Sequence, residues 1–411
     1  MMTSLYRRIQ APLIKESLLH RRVTLLTGAR QTGKTTEAKA LASPSTEYRT
    51  LDNLSQLKAA QEDPHDFVQH TSKIMIIDKV QRVPELLLAI KLLVDENRAP
   101  GQFLLTGSTN LQSLPSIQES LAGRIQKIRL RTLIESEIRG TENHFLEKAF
   151  SQNLKSSFDL CSKSKILELC FRGGFPEAIF LSEKQRMLWH LDYIDALLER
   201  DLKDITKIQR HHTMKELVKI LAAWSSRFMD ISSIGAHLSL SRPTLESYIN
   251  ALESLYIFER LPAYISTDYD RIGKHSKLFI TDTGLMSSLL KWKMENVRLD
   301  SDRCGKIIET FVFNELSAMI DAHPGIYVLS HYRDREQREI DFIIEKEDMS
   351  LLGIEVKSSS TVGKNDFKFL QWFKESIAQK KPFVGIVLYS GDISLSFGPN
   401  LWAVPISALW S

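Results

Sequence analysis

Four residues near the start of the chain have the types and the spacing of a phosphate-binding loop. They are Gly28, Gly33, Lys34 and Thr35, which together form the pattern G-x-x-x-x-G-K-[ST]. Glycine has no Cβ, so successive backbone N–H groups can turn inward and surround a phosphate. A lysine ammonium at this position reaches the β- and γ-phosphates, and the threonine hydroxyl is a ligand for Mg²⁺. The pattern predicts a site for ATP and Mg²⁺.

This loop needs a buried strand before it and a helix after it. Residues 23–26 are an apolar run typical of a parallel strand, and residues 36–42 have the composition of a helix. The positive N-terminal end of that helix faces the same anion. The alternative is a glycine-rich turn that binds nothing. The predicted nucleotide contacts are Gly28, Ala29, Arg30, Gln31, Thr32, Gly33, Lys34, Thr35 and Thr36, with Ser108 from a later strand.

A carboxylate follows the apolar run of residues 74–77. Asp78, at the C-terminal end of such a strand, has the position of a Walker B aspartate, which holds Mg²⁺ directly or through water. Many ATPases of this kind place a glutamate next, where it polarises the attacking water. The chain has Lys79 there, which cannot act as that base and adds positive charge near the γ-phosphate. The sequence therefore predicts ATP binding with slow hydrolysis.

Further polar residues end the strand predicted over residues 101–108. Ser108 or Asn110 can touch the γ-phosphate from this strand, and an ordinary polar strand end explains either one equally well. Arg124 is either a source of positive charge for the nucleotide or a surface residue. A strand over residues 125–130 completes an alternation of strands and helices. This alternation predicts an α/β fold with a parallel sheet and helices on both faces.

Length and composition limit the remaining possibilities. A chain of 411 residues is too long for one core and suggests two to four domains. A content of 43% hydrophobic and 25% charged residues is typical of a soluble globular protein. The 54 basic residues nearly balance the 50 acidic ones, for a net charge of +4. This balance permits a DNA partner without arguing for one.

The cysteines and the apolar segments exclude several classes of protein. Cys161, Cys170 and Cys304 are odd in number and lack the spacing of a zinc site, so they are predicted to be buried thiols. No N-terminal apolar stretch is long enough for a signal peptide, and the longest apolar run, residues 86–94, is interrupted by Lys91. We predict a cytoplasmic protein without a membrane partner.

Several segments resemble a family of bacterial and archaeal AAA+ ATPases. The segments that carry the resemblance are residues 27–36, 76–84, 103–110, 172–178, 197–201 and 277–285. The resemblance therefore covers nearly the whole chain, and it implies an AAA+ core over residues 1–140 and a helical lid or linker over residues 141–210. The family typically has glutamate at the position of Lys79, so this chain departs from it where hydrolysis is concerned.

The segment 211–268 has the pattern of a winged helix. Residues 231–238 and 242–255 are predicted helices joined by a short turn, and residues 257–264 are a predicted wing. A version that reads DNA carries basic residues along the second helix. Here Arg242 is the only basic residue among the expected exposed positions. A scaffold or protein-contact role is therefore favoured over DNA reading.

A second group of chemically active residues lies in the segment 269–411. Asp341 is predicted on one strand and Glu355 on the next, and the thirteen residues between them allow a hairpin that sets the two carboxylates side by side. With Lys357 and with Glu309 on an amphipathic helix, they resemble the PD-(D/E)xK nuclease pattern. That resemblance implies Mg²⁺ on the two strand carboxylates, water oriented by the lysine, and assistance from the helix. The alternative is a solvated strand face on a nuclease-like fold that cleaves nothing.

The predicted fold class is α/β, with a P-loop AAA+ parallel-sheet domain, a helical lid, a winged helix and a C-terminal α/β restriction-endonuclease-like domain. The leading hypothesis is an ATP-binding slow ATPase or nucleotide switch that controls the C-terminal part. The alternatives are a Mg²⁺-dependent DNA nuclease regulated by ATP and a non-catalytic interaction protein with degenerate sites. A protein client and an oligomer stay open. The predicted catalytic residues are Lys34, Asp78, Glu309, Asp341, Glu355 and Lys357, and the predicted metal ligands are Thr35, Asp78, Asp341 and Glu355.

Overall fold

The N-terminal part of the chain is built on a five-stranded parallel sheet. The computed structural model describes residues 6–108, 123–155, 158–205, 211–265 and 275–411. The strands are Val23–Thr27 (β1), Thr46–Thr50 (β2), Ile74–Asp78 (β3), Phe103–Thr106 (β4) and Ile125–Arg129 (β5). They lie in the spatial order β2-β3-β4-β1-β5, and each adjacent pair is parallel. The predicted α/β fold with a parallel sheet is confirmed.

Both faces of this sheet are buried, which explains the near-continuous apolar runs of its central strands. Leu25, Ile77 and Leu105 lie in a core on one face. Leu26 and Ile76 lie in a core on the other face, because successive side chains of a strand point to opposite sides. The helices of this part are Ala11–His20 (α1), Lys34–Ala40 (α2), Leu54–Glu62 (α3), Pro64–Phe67 (α4) and Leu86–Glu96 (α5).

The strand order brings the predicted nucleotide residues to one edge of the sheet. Parallel strands present their C-terminal ends on the same side. β1 ends at Thr27 immediately before the glycine-rich loop, and β3 ends at Asp78. Between them lies β4, which ends at Thr106. The loop, a carboxylate and a hydroxyl group therefore meet at this edge.

The region after the sheet is mainly helical and shares one hydrophobic core with the remainder of the chain. The buried residues of that core extend from Ile134 to Trp410. The predicted divisions between residues 141–210, 211–268 and 269–411 cross this core, and they stay a prediction. The helices are Glu135–Arg139 (α6), Phe145–Phe150 (α7), Lys163–Arg172 (α8), Glu183–Ile205 (α9), His211–Ala223 (α10), Ile231–Leu238 (α11), Arg242–Ser254 (α12), Thr283–Leu289 (α13), Met294–Leu299 (α14) and Ser301–Asp321 (α15).

A small antiparallel sheet in the middle of the chain is formed by one strand between α10 and α11 and two strands after α12. Its strands are Arg227–Phe228 (β6), Phe258–Leu261 (β7) and Lys277–Ile280 (β8), in the order β6-β8-β7. The two helices predicted before the wing coincide with α11 and α12. Ser241 caps the N-terminus of α12, because its side chain accepts a hydrogen bond from the backbone N–H of Thr244.

The C-terminal part contains a six-stranded mixed sheet. Its strands are Tyr327–Arg333 (β9), Glu339–Lys346 (β10), Leu351–Lys357 (β11), Phe383–Tyr389 (β12), Leu395–Gly398 (β13) and Leu401–Pro405 (β14). The order is β13-β14-β12-β11-β10-β9. β10 and β11 form the predicted antiparallel hairpin, with Phe342 opposite Ile354, whereas β11 and β12 are parallel. Helix α15 packs on one face of this sheet, and the short helix Lys368–Phe373 (α16) packs on the other.

Two further expectations concern thiols and membranes. Cys161, Cys170 and Cys304 are all buried and unpaired by disulfides, as predicted. Among the described helices, none has both the length and the apolar character needed to cross a membrane.

Candidate functional site

The glycine-rich loop has a backbone that its two glycines make possible. Gly28 and Gly33 have φ values of +132° and +94°, a region that residues with a Cβ rarely adopt. A Cβ added to Gly28 would also lie 2.1 Å from the carbonyl oxygen of Leu130, which follows β5. The glycine-rich loop therefore packs tightly against the chain segment that follows β5, the strand next to β1.

Lys34 is the buried cation of this loop. Its side chain is 7% exposed, and its Nζ donates hydrogen bonds to the carbonyl oxygens of Gly28, at 3.0 Å, and of Ala29. Burial lowers the pKa of Lys34 to about 7, Asp78 opposes this shift, and nearby cationic residues add to it. An ammonium in this state gains stability from any anion that enters the loop.

The carboxylate of Asp78 is surrounded by hydroxyl groups. Its Oδ1 accepts hydrogen bonds from Thr35 Oγ1 at 2.8 Å and from Thr106 Oγ1 at 2.6 Å. A more distant hydroxyl, that of Thr50, lies 3.4 Å from Oδ2. The structure thus brings together the two predicted metal ligands of this site. Sequence reasoning missed Thr106, because its contact with Asp78 depends on the position of β4 beside β3 in the sheet.

Lys79, which stands in place of the usual glutamate, points its ammonium at a carboxylate. Its Nζ forms an ion pair with Asp52, and Arg82 Nη1 lies 3.2 Å from the same carboxylate. Its backbone, in the left-handed region at φ +66°, donates a hydrogen bond to Thr106 Oγ1 at 3.0 Å. The positive charge that the sequence predicted at Lys79 is therefore paired with the carboxylate of Asp52, which follows the neighbouring strand β2.

The other predicted contacts have mixed outcomes. Ser108 is half-buried at the same edge of the sheet, where its Oγ accepts a hydrogen bond from Gln81 at 2.9 Å. Asn110 lies outside the described residues. Arg124 forms an ion pair with Asp95 at the end of α5, which agrees with the interpretation of a surface residue.

Two residues that the sequence analysis did not single out also hold the loop. Arg8, which is 5% exposed, donates from Nη1 to the carbonyl of Thr32 at 2.6 Å and pairs with the buried Glu137 at 2.9 Å. Tyr193 of α9 donates a hydrogen bond to the carbonyl of Arg30 at 3.4 Å. The loop is thus held from the N-terminal segment and from the helical region.

The predicted C-terminal residues also come together. Asp341 Oδ2 accepts a hydrogen bond from the backbone N–H of Val356 at 2.9 Å, which sets β10 and β11 in register at the predicted carboxylate pair. Glu355 Oε2 lies 3.2 Å from Lys357 Nζ. Burial, then the charge of Asp341, raises the pKa of Glu355 well above its usual range. Burial raises the pKa of Glu309 to about 8, although the ammonium of Lys277 opposes that shift.

Lys277 is the centre of this cluster, and the sequence analysis assigned it no role. It is 1% exposed, and its Nζ lies 2.9 Å from Glu309 Oε1, 2.6 Å from Glu339 Oε1 and 3.2 Å from Asp341 Oδ1. Glu339 was within reach of sequence reasoning, because alternation places it on the same face of β10 as Asp341. Within the described residues, no group of His, Cys, Asp or Glu side chains is arranged to hold a metal ion.

Arg131 connects the N-terminal sheet with the rest of the chain. Its guanidinium donates two hydrogen bonds to Glu259 of β7, at 2.7 and 2.9 Å, and one to Asp321 at the end of α15, at 2.6 Å. Arg129 lies 2.8 Å from the same Glu259. Burial alone raises the pKa of Glu259, but the two arginines outweigh it and lower the pKa to about 2. Glu259 and Arg131 are therefore both ionised at neutral pH.

Three family models match successive parts of the chain. Residues 20–139 match a family described as an AAA domain, which identifies this part as an AAA-type ATPase domain and confirms that prediction. Residues 163–296 and residues 304–409 match two families, each described as a domain of unknown function.

Relatives and solved structures add similarity without assigning a function. Uncharacterized proteins of Mycobacterium tuberculosis and Mycobacterium bovis are each 27% identical over 357 residues, which is 86% of this chain and 74% of theirs. The RuvB Holliday junction branch migration motor of Thermotoga maritima is 19% identical over 62% of this chain and 89% of its own, with a TM-score of 0.29. AMPPCP-bound DnaA of Aquifex aeolicus is 16% identical over 59% of this chain and 86% of its own, with a TM-score of 0.28.

Proposed function

We propose that this chain, whose N-terminal part is an AAA-type ATPase domain, binds ATP with Mg²⁺ and acts as a slow ATPase or nucleotide switch on its C-terminal part. One observation carries the proposal. The buried ammonium of Lys34 and the pair of Thr35 and Asp78, whose Oγ1 and Oδ1 atoms are 2.8 Å apart, lie at the same edge of the sheet. A hydroxyl and a carboxylate are the hard oxygen ligands that Mg²⁺ prefers.

The residues of the loop fit a polyphosphate. The ammonium of Lys34 is buried and its hydrogen bonds go to uncharged oxygens, so a phosphate that accepts a hydrogen bond from it adds to the counter-charge of the nearby Asp78. Gly28, Gln31 and Gly33 have positive φ values, which suit a loop whose N–H groups face an anion. Thr35 and Asp78 would hold Mg²⁺, which neutralises charge on the phosphates when it is bound.

Hydrolysis is expected to be slow because of Lys79. An ammonium cannot accept a proton from water, and this one is paired with Asp52. The test is steady-state ATP hydrolysis with Mg²⁺ by the wild type, Lys34→Ala and Lys79→Glu. We expect slow turnover that Lys34→Ala abolishes and Lys79→Glu accelerates. Calorimetry that detects no ATP binding to the folded wild type would refute the nucleotide function.

Arg131 supplies a route from the loop to the remainder of the chain. The loop packs on the carbonyl of Leu130, and the next residue binds Glu259 on β7 and Asp321 on α15. A movement of the loop backbone therefore acts directly on two elements outside the sheet. Hydrogen exchange tests this route: a non-hydrolysable ATP analogue should change protection of β7 and α15 in the wild type and not in Arg131→Met, which removes the hydrogen bonds to both elements. Equal changes in both proteins would remove Arg131 from the route.

The segment 211–268, which contains α11, α12 and β7, is proposed to be a winged helix with a scaffold or protein-contact role. The one basic residue expected on the exposed face of its second helix, Arg242, is itself paired with Glu246 at 2.9 Å. That pairing weakens the positive charge that a DNA-reading helix needs. If this helix reads DNA, Arg242→Ala should reduce DNA binding strongly; we expect Arg242→Ala and the wild type to behave alike in a DNA-binding assay.

Phosphodiester cleavage is a second candidate function. The observation that favours it is the assembly of Asp341, Glu355 and Lys357 on adjacent strands β10 and β11. The test is cleavage of plasmid DNA in Mg²⁺ by the wild type, Asp341→Ala and Lys357→Ala. Activity that is lost in both variants assigns cleavage to this site, whereas activity that persists unchanged in them excludes it.

A further inference from the structure

The cluster around Lys277 joins two sheets of the protein. Lys277 lies on β8 of the middle sheet, whereas Glu339 and Asp341 lie on β10 of the C-terminal sheet and Glu309 lies on α15. Lys277 and Phe279 point to the same face of β8 because side chains alternate along a strand. Phe279 stacks on Phe313 of α15, with ring centroids 4.1 Å apart. The strand is therefore firmly packed where it presents its ammonium to the carboxylates.

The arrangement of these carboxylates does not fit a divalent metal ion. A nuclease-type Mg²⁺ needs free oxygens of Asp341 and Glu355. Asp341 uses Oδ1 for Lys277 Nζ and Oδ2 for the N–H of Val356, and Glu355 uses Oε2 for Lys357. Mg²⁺ requires close, nearly octahedral oxygen coordination. A fixed ammonium bonded to the same carboxylate repels such an ion.

The ammonium of Lys277 neutralises carboxylate charge that a bound metal ion would otherwise neutralise. Its ammonium has three donors, and three carboxylates lie 2.6 to 3.2 Å from it. The ring of Phe228, on the paired strand β6, has its centroid 5.4 Å from Nζ. The ammonium is thus enclosed by carboxylates and an aromatic ring, with 1% of the residue exposed.

We propose that Lys277 is a built-in cation that takes the place of the divalent metal ion in the cluster of Glu309, Glu339 and Asp341. The C-terminal site is consequently closed to metal ions in this conformation. Metal-dependent cleavage there requires β8 to withdraw its lysine. This inference goes beyond the proposed nucleotide function. It rests on the second candidate function, phosphodiester cleavage, in one respect, which is that a metal ion is expected at this site.

The test counts Mn²⁺ ions bound to the full chain, by electron paramagnetic resonance of the free ion without nucleotide. Mn²⁺ is chosen because it prefers the same oxygen ligands as Mg²⁺. All proteins carry Asp78→Asn, so that the nucleotide site adds no Mn²⁺ to the count. A failure of the proposed nucleotide function therefore cannot change the result at the C-terminal site. The proteins compared in this background are the parent, Asp341→Asn, Lys277→Met, Lys277→Arg and the double variant Lys277→Met/Asp341→Asn.

We expect Lys277→Met to bind one more Mn²⁺ per chain than the parent, and the double variant to lose that ion. Asp341→Asn alone should leave the parent's count unchanged, and Lys277→Arg should match the parent because it keeps the positive charge. A parent whose count falls on Asp341→Asn already holds a metal ion there, which would overturn the proposal. A folded Lys277→Met that gains no ion would overturn it equally.

Removing the lysine leaves three partly buried carboxylates without this partner, so folding has to be checked by circular dichroism. If Lys277→Met does not fold, Lys277→Met/Glu309→Gln removes one charge of each sign and keeps Asp341 and Glu355 for the metal. The same two outcomes then apply to that protein. The comparison of the parent with Asp341→Asn needs no lysine variant and can overturn the proposal by itself.

Discussion

Lys34 and Lys277 are both buried, but their surroundings are opposite. Lys34 donates to carbonyl and hydroxyl oxygens, and burial lowers its pKa to about 7. Burial also lowers the pKa of Lys277, but Glu309, Asp341 and Glu339 outweigh it and raise the pKa well above its ordinary value. The comparison shows that burial alone does not decide what a lysine does. The charge of the surrounding oxygens leaves one site in need of an anion and the other already complete.

The largest expected effect is a difference in the free energy of unfolding between variants of the two lysines. Lys277→Met should lower the free energy of unfolding by about 3–5 kcal/mol, because removing one member of a buried ion pair leaves its partners uncompensated. Lys34→Met is the matched control and should cause a much smaller loss, because its hydrogen bonds go to uncharged oxygens and its removal leaves no hydrogen-bonded carboxylate without a cation. Urea denaturation of both variants and the wild type gives the comparison. Equal losses in the two variants would contradict the distinction drawn here.

The second prediction concerns ATP affinity, for which Lys34→Met should have the larger effect and Lys277→Met the smaller one. Lys34→Met should weaken ATP binding by about 1.5–3 kcal/mol, the range for hydrogen bonds to charged groups, which is roughly tenfold to over a hundredfold. The folded fraction of Lys277→Met should bind ATP as the wild type does, because Lys277 lies on β8 rather than at the edge of the N-terminal sheet. Isothermal titration calorimetry measures both. ATP affinity that Lys34→Met does not change would remove this lysine from the site.

The third prediction uses the lowered pKa of Lys34, about 7. Bound phosphate favours the charged form, so ATP binding should take up about one proton between pH 7 and the ordinary lysine pKa of about 10. In the same window the unfolded chain binds more protons than the folded one, so this group makes stability rise with pH. Calorimetry in two buffers of different ionisation enthalpy measures the uptake. It should vanish in Lys34→Met; uptake that persists there belongs to another group.

The smallest expected effect concerns the hydroxyls on Asp78. Thr106→Val removes a donor 2.6 Å from Oδ1 and should cost about 1 kcal/mol of stability, the typical net value of a hydrogen bond. Thr50→Val is the control, since its hydroxyl is 3.4 Å away and should cost less. Thermal or urea unfolding of the two variants gives the difference. A larger loss in Thr50→Val would mean that Thr106 does not carry the main support of this carboxylate.

Much of both sites was predictable because the information lies in short stretches of sequence. The residues from Gly28 to Thr35 are contiguous, so strand, loop and helix place them without help from distant segments. The pairing of Asp341 with Glu355 followed from the length of one hairpin. Local spacing also predicted the end of β3 at Asp78 and the limits of α11.

The remaining features join residues that are far apart in the chain, and only the tertiary structure decided them. Thr106 meets Asp78 because β4 enters the sheet between β1 and β3. Lys277 reaches Glu309 and Asp341 because β8 of one sheet packs on α15 and β10. The sequence therefore determined which residues carry charge and which neighbouring residues share a strand or loop. The packing decided which opposite charges meet, because each such contact depends on how separate strands and helices are arranged in space.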